Sequence, residues 1–577
     1  MNNIRTQSTA ENVDLRHSLE GGRDTPEYPF SGIHSEPRSC LGYWYPGENP
    51  AAEGSEALLE ALRSIYRSFF VLLKDCRYLV GSGGTGRLGE TAPESGTLPI
   101  YAYSPAIPLE NLGDHGFCRD HGIQYPYIGG SMAHGISSVE IVEALGRGGM
   151  LGFFGVAGLP PRRIQAAVDR LQETMGTKPY GFNLIHSPNE PQLETQIAEM
   201  YIRKGVHRVE ASAFLDITLP VVRYRVYGIH LGPDGNIITP NQLIAKVSRV
   251  EVASKFFSPP PEKYLQELVE LGDITKKQAE LARQVPLAQD ITAEADSGGH
   301  TDSRPAISLL PTMLALRDAK QREFEYCCRL RVGLAGGIST PLSTAAAFAM
   351  GAAYVVTGSV NQACIESGTS PAVRELLAQV QQADVILAPA ADMFEMNAKV
   401  QVLKRGTMFP MRAAKLAELY RIYNSIDEIP PAERIQLEKT VFRASFDEIW
   451  NQTVRYFQER DTTQLDKASD NPKYKLALTF RWYLGQASHW AITGNPDRKI
   501  DYQIWCGPAM GAFNEWTKGS FLEHPQNRQV VSVALNLLHG AAVLTRINTL
   551  RSSGIYPGPE FNPVPLEEPE LSKYLIK

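Results

Sequence analysis

Cysteine is scarce and scattered: seven among 577 residues, at positions 40, 76, 118, 327, 328, 364 and 506, odd in number and never spaced C-x-x-C. That pattern supports neither a disulfide framework nor a zinc knuckle, and it suits a reducing cytoplasm. Neither sign of charge is in excess, with 57 Lys and Arg against 63 Asp and Glu. The net charge of −6 offers no electrostatic footprint for nucleic acid or an anionic membrane. No window supplies the roughly 18 apolar residues of a spanning helix. The first 23 residues hold no apolar segment of the kind an export signal needs. A protein neither exported nor anchored is therefore expected. Internal repeats and low-complexity tracts are also missing.

The length permits two or more domains, or one large barrel carrying insertions. Residues 1–37 are polar, aperiodic and spotted with Gly and Pro, and read as a mobile arm. Over 51–73, Leu58, Leu59, Leu62, Ile65, Phe69 and Leu72 fall at three- and four-residue steps, which predicts an amphipathic helix. RYLV (77–80) then runs into GSGGTG (81–86), a nominal G-x-G-x-x-G. A dinucleotide site would open a helix there, yet RLGETAPESG (87–96) brings a proline and two further glycines, so a flexible connection is the reading adopted.

From Tyr125 the rhythm changes to strands alternating with helices. Strands are predicted near 125–131, 150–156, 180–186, 207–212, 243–249, 288–294, 329–335 and 353–358, with Gln289 and Asp290 making the sixth the weakest by composition. Helical spacing fills 138–147, 160–174, 189–204, 307–322 and 340–350. Eight such units over about 240 residues match a (β/α)8 TIM barrel, an α/β fold, better than an open sheet. The connection 258–282 reads as two short helices, the second capped by Asp273 or Thr275, inserted on the active face. Beyond Ala383 the chain reads as largely helical, and Trp450, Trp482, Trp490, Trp505 and Trp516 crowd the last stretch. Residues 554–570 carry five prolines and are expected to run extended. The division expected is an N-terminal extension with a small subdomain (1–117), a barrel (118–395) with a helical insertion (257–287), and a helical C-terminal cap (396–577).

The chemistry gathers at the predicted strand ends. AEADSGGHTD (293–302) puts two glycines, a histidine and three carboxylates after the sixth strand. RVGLAGGI (331–338) and AYVVTGS (353–359) end the seventh and eighth in Gly336-Gly337 and Gly358-Ser359, where a barrel of this class binds phosphate. YIGGSMAHG (127–135) offers exposed backbone for a flat ring, unless it is only a tight turn. Asn183 in GFNLI (181–185) is an amide in an apolar strand, to be satisfied by a ligand or by backbone. Lys246 in LIAKV (243–247) either enters the mouth, where an anion or electron-rich ring must offset its burial, or reaches the surface. His300 titrates near neutrality and suits proton donation, with Gly298 and Gly299 clearing space for substrate. Asp296 and Asp302 either orient it or are solvated loop carboxylates.

Longer stretches carry a resemblance. MLGFF (150–154), VEASAF (209–214), AKVSR (245–249), EADSGGHTD (294–302), VVTGSVNQ (355–362), APAADMFE (388–395), VLKRGT (402–407) and DYQIWCGPAMG (501–511) resemble the PfaD family. These are the trans-acting enoyl reductases of polyunsaturated fatty acid and polyketide synthases, within the nitronate monooxygenase-like FMN barrels. The resemblance implies FMN reduced by NADPH, hydride delivery to a 2-enoyl thioester on an acyl carrier protein, and His300 as proton donor or thioester holder. It implies that Gly130, Ser131, Met132, Gly298, Gly299, Gly336, Gly337, Gly358 and Ser359 hold FMN and that Asn183 and Lys246 touch its ring. The C-terminal helical part would form a lid or a carrier-protein dock. A homodimer is compatible with the sequence, which does not decide it. A nitronate-oxidising flavoenzyme and a non-catalytic synthase scaffold are the alternatives. One departure stands out: where the family would read Gly-Ala-Met-Ala-Gly-Gly-Ile, residues 130–136 read GSMAHGI, so His134 replaces a small residue beside the flavin.

Overall fold

The computed structural model describes residues 34–35, 40–75, 77–89, 96–186 and 191–576. At its centre eight parallel strands close into a barrel: β1 Tyr127–Gly129, β2 Leu151–Phe154, β3 Gly181–Ile185, β4 Arg208–Ser212, β5 Gln242–Val247, β6 Asp290–Glu294, β7 Arg331–Ala335 and β8 Val355–Thr357. Closure runs through β8 and β1, with Val356 opposite Ile128. Every strand lies where the sequence placed it. β6 holds despite its polar start, because Asp290 turns inward and its charge is met inside the barrel.

Helices pack the outside in the expected places, among them Val139–Arg147, Pro161–Met175, Pro191–Lys204, Ala306–Phe324 and Pro341–Ala349. Ser138 caps the first by accepting from the Ile141 N–H. The inserted helices are Glu262–Glu270 and Lys276–Ala282, the second opened by a capping box on Thr275, not Asp273. Their expected place on the active face is corrected by topology. They follow the helix Val250–Phe257 and precede β6, which puts them at the N-terminal end of the strands, packed on the helix Leu219–Val226.

That same end is plugged by the helix His115–His121. Phe117 stacks on Tyr354 at 4.0 Å between ring centroids. Beside it lies a buried ionic cluster: Arg331 Nε donates to Asp290 Oδ1 at 2.5 Å, Arg331 Nη1 to Asp120 Oδ2 at 2.8 Å, and His121 Nε2 lies 2.9 Å from Asp290 Oδ2.

Several expectations outside the barrel are revised. The helix predicted over 51–73 stops at Arg63, and Phe69–Lys74 is a strand in a six-stranded antiparallel sheet. The run FFVLL is β-branched and aromatic enough to pair, and Ile65 and Phe69 are buried in either geometry. The glycines at 81–86 form a strand, turn and strand, not a flexible connection. A Cβ at Gly81 would lie 2.9 Å from the Trp44 ring, and one at Gly84 2.4 Å from the Tyr45 carbonyl oxygen. The region beyond Ala383 opens with a hairpin, Val385–Pro389 and Lys399–Leu403, to which Gly299–His300 adds a third strand. Val530–Ser552 does reach the length and hydropathy of a spanning helix, against the expectation of none, and 78% of its apolar window is buried inside the protein. Arg546, fully buried on it, donates to the carbonyl oxygens of Ser64 and Arg67, each at 2.7 Å, ties that belong to a packed core helix. The proline-rich tail is extended only in part and ends in the helix Glu568–Leu575. The arm read at 1–37 lies outside the described residues except for His34–Ser35, which pair with Ile555–Tyr556. Of the cysteines, all but Cys76, which is not described, are free thiols.

Candidate active site

Four inward side chains line the upper barrel on consecutive strands: Asn183 on β3, Glu210 on β4, Lys246 on β5 and Glu294 on β6. Parallel register sets Asn183 beside Glu210 and Lys246 beside Thr292. Since side chains alternate faces along a strand, that register sends all four to the interior.

Lys246 thus enters the mouth, and two carboxylates meet it: Nζ lies 3.4 Å from Glu210 Oε2 and 3.8 Å from Glu294 Oε1. Burial alone would depress the ammonium, yet the two acids hold its pKa above the usual value. Burial raises the Glu294 carboxyl, with Glu210 and Asp302 adding to the rise and Lys246 and His300 opposing it. Asn183 is satisfied by protein: Nδ2 donates to the Glu210 carbonyl at 2.9 Å and to Ser212 Oγ at 2.8 Å.

The loop after β1 is fastened to this group. Gly130 N donates to the Thr357 carbonyl at 3.0 Å. The Ser131 N–H donates to Glu210 Oε2 at 3.2 Å, and its hydroxyl binds the same oxygen. Met132 packs its backbone so tightly on Gly155 that a Cβ there would meet the Met132 carbonyl at 1.7 Å. His134 adopts φ 58°, ψ 20°, a left-handed conformation normally left to glycine. Its ring lies parallel to Trp505, centroids 5.6 Å apart. Burial, helped by His489, Arg460 and Arg163, pushes the imidazole down to about 4, so it is neutral at physiological pH.

Gly337 and Gly358 look onto open space, with nothing within 4 Å of a Cβ built on either. Gly336 differs: a Cβ would sit 2.7 Å from the Ala295 backbone, so this glycine lets β7 approach the loop after β6. Ser359 Oγ accepts from the Gly507 N–H at 3.3 Å, which brings the 501–511 segment over the same corner. Gly298 serves that segment too. A Cβ there would meet the Cys506 backbone at 2.9 Å, so its bareness admits protein chain and not substrate, against the sequence reading. Gly299 takes φ 84° and lies under Trp505.

His300 is half-exposed, in the short strand opposite Val400. Nε2 lies 3.3 Å from Asp392 Oδ1. Burial pulls the imidazole pKa down, but the Asp392 hydrogen bond and charge, with Glu294, prevail and raise it. Of the two roles open to Asp296 and Asp302, orienting His300 is not the one they take. Asp302 binds Arg249 and Ser248, and Asp296 accepts from Gln401 and Thr301. Glu210 and Asp392 were not singled out from sequence, Glu294 was noted only as one of three loop carboxylates, and Trp505 only as one of five clustered tryptophans. An acid among the small apolar residues of VEASA is the signal that could have marked Glu210.

A closed parallel barrel whose C-terminal mouth joins an open glycine corner to a buried ammonium and a histidine is a barrel of cofactor-dependent type. The chain belongs to the nitronate monooxygenase family, which residues 118–422 match; residues 423–502 match the inserted helical domain of the acyl-carrier-protein S-malonyltransferase. Over 451 residues it is 47% identical to one component of the polyunsaturated fatty acid synthase of Thraustochytrium sp., an overlap of 77% of this chain and 30% of that protein. To the polyketide biosynthesis protein PksE of Bacillus subtilis it is 46% identical, over 76% of this chain and 57% of that one. It therefore spans less than two thirds of either relative. The solved enoyl reductase domain of MlnA, from the macrolactin biosynthesis cluster of Bacillus amyloliquefaciens, is covered in full, with 40% identity, 77% of this chain and a TM-score of 0.73. The family implies a flavin. The residues present fit one: an open cradle at Gly337 and Gly358, and at the mouth Lys246 beside Glu210, whose other carboxylate oxygen, Oε1, is buried and has no partner among the described residues.

Proposed function

We propose that the chain is an FMN-dependent enoyl reductase acting in trans, in the cytoplasm, on 2-enoyl thioesters carried by acyl carrier protein domains of a polyunsaturated fatty acid or polyketide synthase, with NADPH as electron source. The observation that carries this reading is full coverage of the MlnA enoyl reductase domain at 40% identity. In it, Gly337, Gly358 and Ser359 hold the cofactor phosphate, Gly130, Ser131 and Met132 form the shelf beside the ring, and Asn183 and Lys246 edge it. Gly298, Gly299 and Gly336 support the cradle through backbone packing. The bound flavin supplies hydride to Cβ of the enoyl chain. His300 holds a proton for Cα, so that hydride and proton together saturate the double bond. Lys246, kept charged by Glu210 and Glu294, would offset the negative charge that the ring carries once NADPH has reduced it.

The test is anaerobic oxidation of the reduced protein by crotonyl thioester on a carrier protein, followed at the flavin bands. Acceleration of at least tenfold over buffer is expected. No acceleration, with turnover of alkyl nitronates instead, would return the chain to the oxidase chemistry its family is named for.

Gly358 gives a second expected result. Its backbone, φ −130° and ψ −75°, lies outside the left-handed region, and a side chain there enters open space. Gly358→Val should weaken FMN binding roughly tenfold or more by occupying the phosphate position, at a stability cost of about 1–3 kcal/mol because these backbone angles lie outside the regions a β-branched residue adopts. Unaltered FMN affinity by fluorescence titration would remove Gly358 from the cradle.

A further inference from the structure

Glu210 is the most confined charge in the mouth: fully buried, on β4, facing inward. Its two oxygens are treated unequally. Oε2 receives the Ser131 N–H and hydroxyl and lies 3.4 Å from Lys246 Nζ. Oε1 has no hydrogen-bond partner among the described residues. A buried carboxylate oxygen without a donor is costly, and an ionised carboxylate can only accept. The nearby donors are committed elsewhere: the Asn183 amide to backbone and Ser212, Gly130 N to Thr357. Oε1 borders the strip above Gly130, 3.8 Å from a Cβ built on that glycine, where the proposed ring lies.

We infer that Glu210 Oε1 accepts the N3–H of the flavin ring, and so is a cofactor-positioning residue that selects the ring's edge. The inference rests on the flavin reading. Its chemistry is specific. An oxidised isoalloxazine has one N–H, at N3, flanked by carbonyl oxygens. An acceptor beside an ammonium, Glu210 beside Lys246, complements that edge, whereas an adenine or nicotinamide ring offers no N–H between two carbonyls. Ser131 gains a role with it, because its two bonds hold the carboxylate in one rotamer.

The inference is tested with FMN and its N3-methyl analogue, bound to the wild-type protein and followed by quenching of flavin fluorescence. Methylation should weaken binding roughly 10- to 100-fold, the loss expected from one hydrogen bond to a charged group. In Glu210→Gln, FMN itself should bind more weakly and the preference for FMN over the analogue should largely vanish. A second readout is the ionisation of bound flavin at N3. The carboxylate opposes it while Lys246 favours it, so the spectral transition should move to lower pH when the carboxylate alone is removed in Glu210→Gln. A protein that binds flavin but treats the two analogues alike, or whose N3 transition is unmoved in Glu210→Gln, overturns this inference alone. A protein that takes up no flavin overturns the cofactor reading and this inference with it.

Discussion

Replacing His300 by alanine should lower reduction of a carrier-bound enoyl thioester by about 100- to 10,000-fold while FMN stays bound, the range removed with a general acid. The imidazole is the titratable group at the mouth that combines partial exposure with an anchoring carboxylate: Asp392 Oδ1 lies 3.3 Å from Nε2. Burial acts against the imidazolium, and Asp392 with Glu294 more than reverses it, so its pKa lies above the ordinary histidine value. An acid catalyst must be protonated to act. The rate therefore holds at low pH and falls as pH rises through that raised pKa. Asp392→Asn removes the main stabiliser of the charged ring and leaves burial in command, so the fall should move to lower pH while the low-pH plateau changes less. A pH profile of kcat/KM for the wild-type and both variants checks this. Turnover unchanged in His300→Ala would take His300 out of the mechanism, and an unmoved limb in Asp392→Asn would take Asp392 out of its tuning.

Most of the barrel was legible because its signals are local. Short Val- and Gly-rich strands such as VGLA (332–335) alternate with three- to four-residue apolar spacing, and a strand buried on both faces reads as a strand in one dimension. Lys246 was marked as a polar group where its neighbours are not, and His300 as a titratable group on a glycine-bearing loop at a strand end. What the sequence left open is what register and distant segments decide. Whether Lys246 points in or out depends on the pairing of Ala245 with Ala211 and Ile291. The partner of His300 comes from 92 residues downstream, through a hairpin that composition did not separate from the helical region around it. Gly298 shows the limit most plainly. Its glycine was noticed for chemistry, but the backbone of Cys506, more than 200 residues away, explains why no side chain fits. The N-terminal misreading has a different origin, since Leu58, Leu62, Ile65, Phe69 and Leu72 satisfy helical spacing across what is in fact a helix, a turn and a strand.

Arg331→Met should destabilise the protein by about 3–5 kcal/mol, the cost of leaving buried charge without its partner. Arg331 and Asp290 are each 3% exposed, and one guanidinium serves two carboxylates, Asp290 through Nε and Nη2 and Asp120 through Nη1. Burial presses the Asp290 carboxyl toward protonation, but Arg331 and His121 overcome it and hold the pKa at about 2. A folded-state pKa below the unfolded one stabilises the protein above the unfolded carboxylate pKa, and that stability is lost as pH falls through the folded value. Wild-type protein should keep this contribution down to strongly acidic solution. In Arg331→Met burial prevails, the Asp290 pKa rises, and protonation removes the stranded charge. The gap between variant and wild type, measured by urea unfolding, should then be widest near pH 7 and narrow toward pH 4. Replacing Asp290 and Arg331 together by Leu and Met should cost less than Arg331→Met alone, since the apolar pair leaves no buried carboxylate facing it and strands Asp120, which is partly exposed, and the His121 imidazole that Asp290 had met. A gap that stays constant with pH would mean the loss comes from packing against Phe117, over whose ring the guanidinium lies at 5.5 Å, and not from the uncompensated carboxylate.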